Sequence, residues 1–330
     1  MGRLIKLENP PRINGYASVV GKREHEGPLS ADFDVHDKSE KFGMDTWEKA
    51  ESEMQRMALN LALSKAKLSP DALGAIFAGD LQNQCVGSVY ASENFHTPYF
   101  GLYGACSTFA ESIMLSALFV SAGYFDICGA VTSSHFCAAE RQYRFPLEYG
   151  GQRAPTAQRT VTGAGAMVIG GGNTGVKITE VMPGRVVDKG INDVNNMGAA
   201  MAPAAIDTIE SYFNESGKSP TEFDLILTGD LGAEGHSITL EYLQKRGLDI
   251  AAVYSDCGLM IFNRKTQDMH SGGSGCGCSA SVVCGNIMKR FEKGTLHDIL
   301  YIATGALMSP SSLQQGLSIP GIAHLVRLEA

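Results

Sequence analysis

Short continuous apolar runs alternate along this chain with stretches of helical spacing. Residues 13–20, 72–79 and 127–133 read as strands, the last almost unbroken in apolar character, as in a sheet covered on both faces. Between the first two, residues 45–67 carry Met54, Met57, Ala58 and Leu61 on one helical face and stop before Ser69-Pro70. Residues 102–120 predict a turn and then an apolar helix closed by Gly123, and residues 161–170 with 176–186 predict a hairpin. Further on, helices are expected over 200–216, 237–247 and 279–293, and strands over 224–227, 259–263 and 299–304. Strands alternating with helices indicate βαβ units and mostly parallel sheets. The polar, aromatic stretch 134–160 is too long for an ordinary connection and reads as an insertion, a kind of segment that often carries function.

The pattern occurs twice. Gly104-Ala105-Cys106-Ser107-Thr108 opens one apolar helix and Gly275-Cys276-Gly277-Cys278-Ser279-Ala280 opens another. Asp126 lies 20 residues after Cys106, and Asp298 lies 20 after Cys278, each just before an apolar strand. Upstream, Ala78-Gly79-Asp80-Leu81 is echoed by Thr228-Gly229-Asp230-Leu231. Such self-similarity predicts two related α/β halves, 1–187 (with the 134–160 insertion) and 188–330, each with a cysteine at the front of one helix.

With 330 residues, 44% hydrophobic and 19% charged, the chain can build a sizeable core. A net charge of −8 argues against nucleic acid and against adhesion to anionic lipid. No apolar run reaches the roughly 18 residues of a membrane span, and residues 1–14 lack a signal-peptide core, so a cytoplasmic protein is expected. Its eight cysteines are then expected as free thiols. Cys276-x-Cys278 lacks zinc-site spacing, and Gly170-Gly171-Gly172 and Gly272-Gly273 match no nucleotide-binding loop, so neither a metal nor a cofactor is expected.

Cys106 is the leading candidate for chemistry. A cysteine at a helix N-terminus feels the dipole and free N–H groups that favour thiolate, and small neighbours let a ligand approach. Acyl transfer would also need a base. His135 follows the 127–133 strand, at the end where such sheets bind ligands, while His236 follows the Asp230 turn in a loop. His324 stands near the C-terminus and reads equally well as a core histidine, and His270 reads as part of a turn. Asp80, followed by Gln82, Asn83 and Gln84, either caps a helix or lines the cleft of Cys106. Arg141, Arg144, Arg153 and Arg159 alternate with Tyr143, Phe145 and Tyr149, suiting a carboxylate or phosphate on an aromatic ring, or else a subunit interface.

The whole chain resembles the stage V sporulation protein AD family, within the thiolase-like superfamily. The resemblance rests on Gly104–Thr108, Ser133-Ser134-His135, Ala139-Glu140-Arg141-Gln142, Glu148-Tyr149-Gly150-Gly151-Gln152, Thr160-Val161-Thr162-Gly163, Ala200–Ala205, Asp224–Leu231, Asp256–Leu259, Gly272–Ala280 and Ala303–Leu307. It implies a thiolase-like fold: duplicated halves in α-β-α-β-α layers, commonly a homodimer. It further implies a role in spore formation, binding dipicolinic acid (pyridine-2,6-dicarboxylate), free or as its calcium chelate, with membrane partners at the forespore inner membrane. The ligand-binding residues expected on this reading are Asp80, Asn83, Cys106, His135, Arg141 and Arg144. The alternative is an acyl-condensing enzyme using Cys106 with His236 or His324. The chain departs from the enzymes where thiolases carry a second Gly-His pair, having Gly-Cys-Gly-Cys-Ser over 275–279. His236 stands outside any matching condensing-enzyme motif.

Overall fold

The computed structural model describes residues 2–143 and 153–330. Strands β1 (Arg12–Gly21), β2 (Ala75–Gly79), β3 (Tyr99–Gly101), β4 (Ile127–Ser134) and β5 (Gly163–Gly170) lie in the order β1-β5-β4-β2-β3. Strands β6 (Val176–Met182), β7 (Leu225–Thr228), β8 (Tyr254–Asp256), β9 (Asp298–Ala306) and β10 (Gly321–Glu329) repeat that order as β6-β10-β9-β7-β8. In each half the outer three strands run parallel and the inner pairs antiparallel. The halves join at one corner, where Arg12 and Ile13 pair with Lys177 and Val176.

Helix α1 (Trp47–Ala66) packs on the outer face of the first sheet. Thr46 caps it by accepting from the Lys49 amide, and Lys67 ends it in the left-handed region at φ 58°. Its buried Ala50, Met54, Ala58, Ala62 and Leu59, Leu63 follow the spacing of one helical face. Helices α2 (Thr108–Ser121) and α6 (Cys276–Val282) lie between the sheets, while α4 (Met197–Ser216) and α5 (Gly232–Lys245) cover the second sheet from outside. The result is the layered α-β-α-β-α arrangement. The remaining helix needed below, α3 (Phe136–Tyr143), follows β4.

Several expectations are corrected. Segments 161–170 and 176–186 form no hairpin, because β1 lies between β5 and β6. By pairing, β6 goes with the second half, ahead of the expected boundary near residue 188. The expected strand 259–263 is a helical turn, Cys257–Met260, and the strand is Tyr254–Asp256 before it; a short apolar run does not distinguish the two by itself. Helix α5 starts at Gly232, so His236 stands on a helix and not in a loop. The 279–293 helix begins earlier, at Cys276, and contains a π-turn at Val283–Ile287. The stretch taken as an insertion begins with α3, and the terminal strand carrying His324 had no counterpart in the sequence reading.

Phe109 and Ile113 of α2, both wholly buried, fill the space between the sheets with Tyr301 of β9. Phe109→Ala is expected to lower unfolding free energy by about 3–5 kcal/mol. Chemical denaturation measures this; a loss under about 1 kcal/mol would show that the inter-sheet layer is not tightly packed.

Candidate ligand site around Cys106

The turns that open α2 and α6 cross at the centre of the molecule. A Cβ on Gly305 of β9 would stand 2.2 Å from the Gly104 carbonyl oxygen, and one on Gly277 would stand 2.3 Å from that of Gly163. Each turn is thus pressed against strand ends, at distances only glycine permits. Ala105 takes a left-handed φ of 51°, uncommon for a residue with a side chain, and this presents the next residue, Cys106, to a cavity.

That cavity, of about 110 Å³, takes its walls from both halves. Leu81, Tyr103, Cys106, Glu140 and Tyr143 come from the first, and Met197, Met201, Ser274, Ala306 and Met308 from the second, with Gln158 and Thr160 from the segment before β5. The Cys106 Sγ is 3.9 Å from Ser274 Oγ. Ser274 Oγ donates to Asp230 Oδ2 at 2.9 Å, which also accepts from the Gly275 amide at 2.8 Å. Thr304 Oγ1 donates to Asp230 Oδ1 at 2.9 Å. Gln158 Nε2 donates to the carbonyls of Asp230 and Gly273 at 2.6 and 2.8 Å. Tyr143 and Tyr103 donate to the carbonyls of Leu81 and Met308 at 2.9 and 3.1 Å. Burial, then the neighbouring Asp230, push the Cys106 thiol well above its ordinary range. Burial also raises Asp230, against the pull of its donors.

Of the residues expected at the site, Cys106 reaches the cavity and the others described do not. Wholly buried Asp80 accepts from the Gln82 amide at 2.8 Å and from the amide and hydroxyl of Ser88 at 2.7 Å each, closing its own loop. Asn83 is exposed, its amide donating to Gln142. His135 is buried against Trp47, with Nε2 2.8 Å from the Glu40 carbonyl and Nδ1 accepting from the Cys137 amide, and burial lowers it to about 4. Arg141 is ion-paired with Glu48. His236 stacks on Tyr254 with ring centroids 4.3 Å apart. His324 accepts from the Gly184 amide at 3.1 Å, and burial lowers it to about 4. Arg144 lies outside the described residues. Sequence reasoning did not place Ser274, Gln158, Thr160 and Glu140 here; Ser274, Thr160 and Glu140 stood in motifs that carried the resemblance, without a role attached.

A family model described as stage V sporulation protein AD matches residues 2–329. The chain belongs to the stage V sporulation protein AD family. It is 41% identical over 323 residues to the stage V sporulation protein AD of Bacillus subtilis (strain 168), covering 98% of this chain and 95% of that one. Among solved structures it is similar to a single-site variant of OleA from Xanthomonas campestris, with TM-score 0.63 and 16% identity, covering 99% and 100% of the two chains. It is also similar to 3-oxoacyl-[acyl-carrier-protein] synthase III of Aquifex aeolicus VF5, with TM-score 0.56 and 15% identity over 96% and 99%. These structures establish the thiolase-like fold and, at such identity, nothing further. Among the described residues, no helix is long and apolar enough to cross a membrane.

Glu51, wholly buried beside Asp80, accepts from Gln82 Nε2 at 2.7 Å and Ser133 Oγ at 2.9 Å. Burial, then the Asp80 charge, push it from the ordinary 4.5 up to about 8. Between those values the unfolded chain has released a proton that the fold retains, so this group's contribution to stability falls as pH rises through that window. Glu51→Gln is expected to flatten the decline of melting temperature over the same range. An unchanged slope would assign the effect to another group.

Proposed function

We propose that this family member is a non-catalytic ligand-binding protein, and that the Cys106 cavity holds dipicolinic acid for transfer by membrane partner proteins during sporulation. The observation that carries the non-catalytic part is the composition of the cavity wall. Its thiol is buried beside a carboxylate, and no His, Lys or Arg stands among its described lining residues. Acyl transfer needs a thiolate and a proton acceptor in reach. The four histidines considered for that role are engaged elsewhere: His135 with the Glu40 carbonyl, His236 with the Tyr254 ring, His270 with the Ala154 carbonyl and His324 with the Gly184 amide.

The ligand itself comes from the family resemblance, and the wall supports it in part. Tyr103 and Tyr143 offer ring surfaces beside apolar Leu81, Met201 and Met308. A dianion placed there needs positive charge, which this reading assigns to Arg144 or to calcium travelling with the ligand. Dimerisation through the edge of β3, which pairs with β2 and exposes Phe100, is part of the same proposal. So is association with the forespore membrane through partners.

Calorimetric titration with dipicolinate, with and without calcium, tests the reading. Wild type is expected to bind, and Cys106→Phe, which fills the cavity, to lose binding while staying folded. Absence of heat from wild type at millimolar ligand would overturn the proposal. A stable Cys106 adduct after incubation with acyl-CoA, seen by intact mass, would replace it with acyl transfer.

A further inference from the structure

Building on the non-catalytic reading of this cavity, we propose that Asp230 is the positioning residue that keeps Cys106 a neutral thiol and so silences it as a nucleophile. The argument is geometric. The thiol stands 3.9 Å from Ser274 Oγ, whose proton is given to Asp230 at 2.9 Å. Ser274 therefore has no proton left to stabilise a sulfur anion. Among the described residues, the ionisable groups around the thiol are Tyr103 from the preceding loop, Tyr143 from α3, Cys276 from α6 and Asp230 from the end of β7, with Glu140 of α3 elsewhere on the cavity wall. None of them is a cation, and no cation stands among the described residues lining the cavity. Asp256, itself buried, lies close enough to Asp230 for the two carboxyls to disfavour each other's charge.

A small, poorly hydrated space sustains one anion far more readily than two. Asp230 has the better claim to that charge. It accepts from Ser274, the Gly275 amide and Thr304, three donors from two separate elements, while the sulfur has the Ser274 hydroxyl at 3.9 Å, the Gly275 amide and the Asp230 carboxylate itself as neighbours. The N-terminal position on the helix pulls the other way, favouring thiolate. That pull is a partial charge, and the carboxylate beside the thiol is a full one when ionised. The upward push on the thiol from burial and from Asp230 agrees with this balance. A cysteine in the place of a nucleophile is thus held in its unreactive form by a fixed neighbour, and the cavity can exchange its ligand without being acylated or alkylated.

The test is the rate of Cys106 alkylation by iodoacetamide in the full-length protein, from about pH 6 to about pH 10, followed by peptide mass mapping. In this step thiolate sulfur forms a bond to carbon and iodide leaves, so the rate reports the thiolate fraction. Wild type is expected to label slowly, with a rate still rising at the top of the range. Asp230→Asn is expected to label about tenfold faster at pH 8, the effect of lowering the thiol by one unit. An unchanged profile in folded Asp230→Asn would overturn the proposal. A reading independent of that variant's folding is the thiolate absorbance of wild type minus Cys106→Ser. A wild-type midpoint at or below the ordinary thiol value of about 8.5 would overturn the proposal as well. Dipicolinate titrated into the same samples keeps the two readings apart: loss of ligand binding leaves the labelling result standing, and the reverse holds.

Discussion

Burying a carboxylate without water is tolerable only when its lone pairs are filled, and Asp230 meets that condition by drawing three elements together. It sits at the end of β7, wholly buried. Its donors come from the turn that opens α6 and from Thr304 of β9, and its own carbonyl is held by Gln158. Once these contacts are made, the Gly275 turn has one position relative to the second sheet. The first half is then pressed on that frame where Gly305 meets the Gly104 carbonyl. Cavity, thiol and Ser274 hydroxyl are consequences of that arrangement. Loss of any one donor would leave charge uncompensated in a region with no solvent to replace it.

The duplication makes the use of this acid legible. Asp80 and Asp230 end equivalent strands, yet they serve opposite purposes. Asp80 takes its donors from Gln82 and Ser88 and closes its own loop, while Asp230 reaches across to the α6 turn. The cysteines divide in the same way. Cys106 faces the cavity, while Cys276, at the matching turn, is sealed and donates to the Ser133 carbonyl at 2.8 Å. Two halves related by repetition have thus kept one fold while, of these two turns, the one that opens α2 presents its cysteine to a cavity. A symmetric pair of thiol sites would have needed cavity on both sides of the crossing turns, at the expense of packing where the halves meet.

How far the sequence speaks depends on the range of the interaction. The helix start at Thr46, the stop at Lys67 and the doubling of the α/β pattern rest on local or periodic signals, while the helix opening at Cys276 was expected only from residue 279. Cys106 was visible for the same reason, since a small-residue turn ahead of an apolar helix is a local pattern. His135 and Asp80 stood at the correct strand ends, but side-chain direction decided their fate, and each turns toward partners in the first half. Asp230 was visible as the echo of Asp80, and repetition suggested a structural role without revealing that Cys106 lies on its other side. Ser274 and Gln158 acquire meaning only in the folded chain, because their partner Asp230 lies 44 and 72 residues away, for Gln158 in the other half. The strand at 254–256 was displaced to 259–263 because an apolar helical turn and a buried strand share the same short pattern.

The chain shares its fold with OleA, at a TM-score of 0.63. Chemistry is set within a few ångströms of the sulfur. A helix N-terminus supplies half of what a nucleophilic cysteine requires, and the fold supplies it here as well. The other half is a partner that removes the proton, and the nearest ionisable partner is one that disfavours its removal. The same carboxylate that fixes the architecture of the second half therefore also bears on what the first half's cysteine can do. Structural need and chemical restraint coincide in one side chain, and a change that freed the thiol would also loosen the turn that shapes the cavity around it.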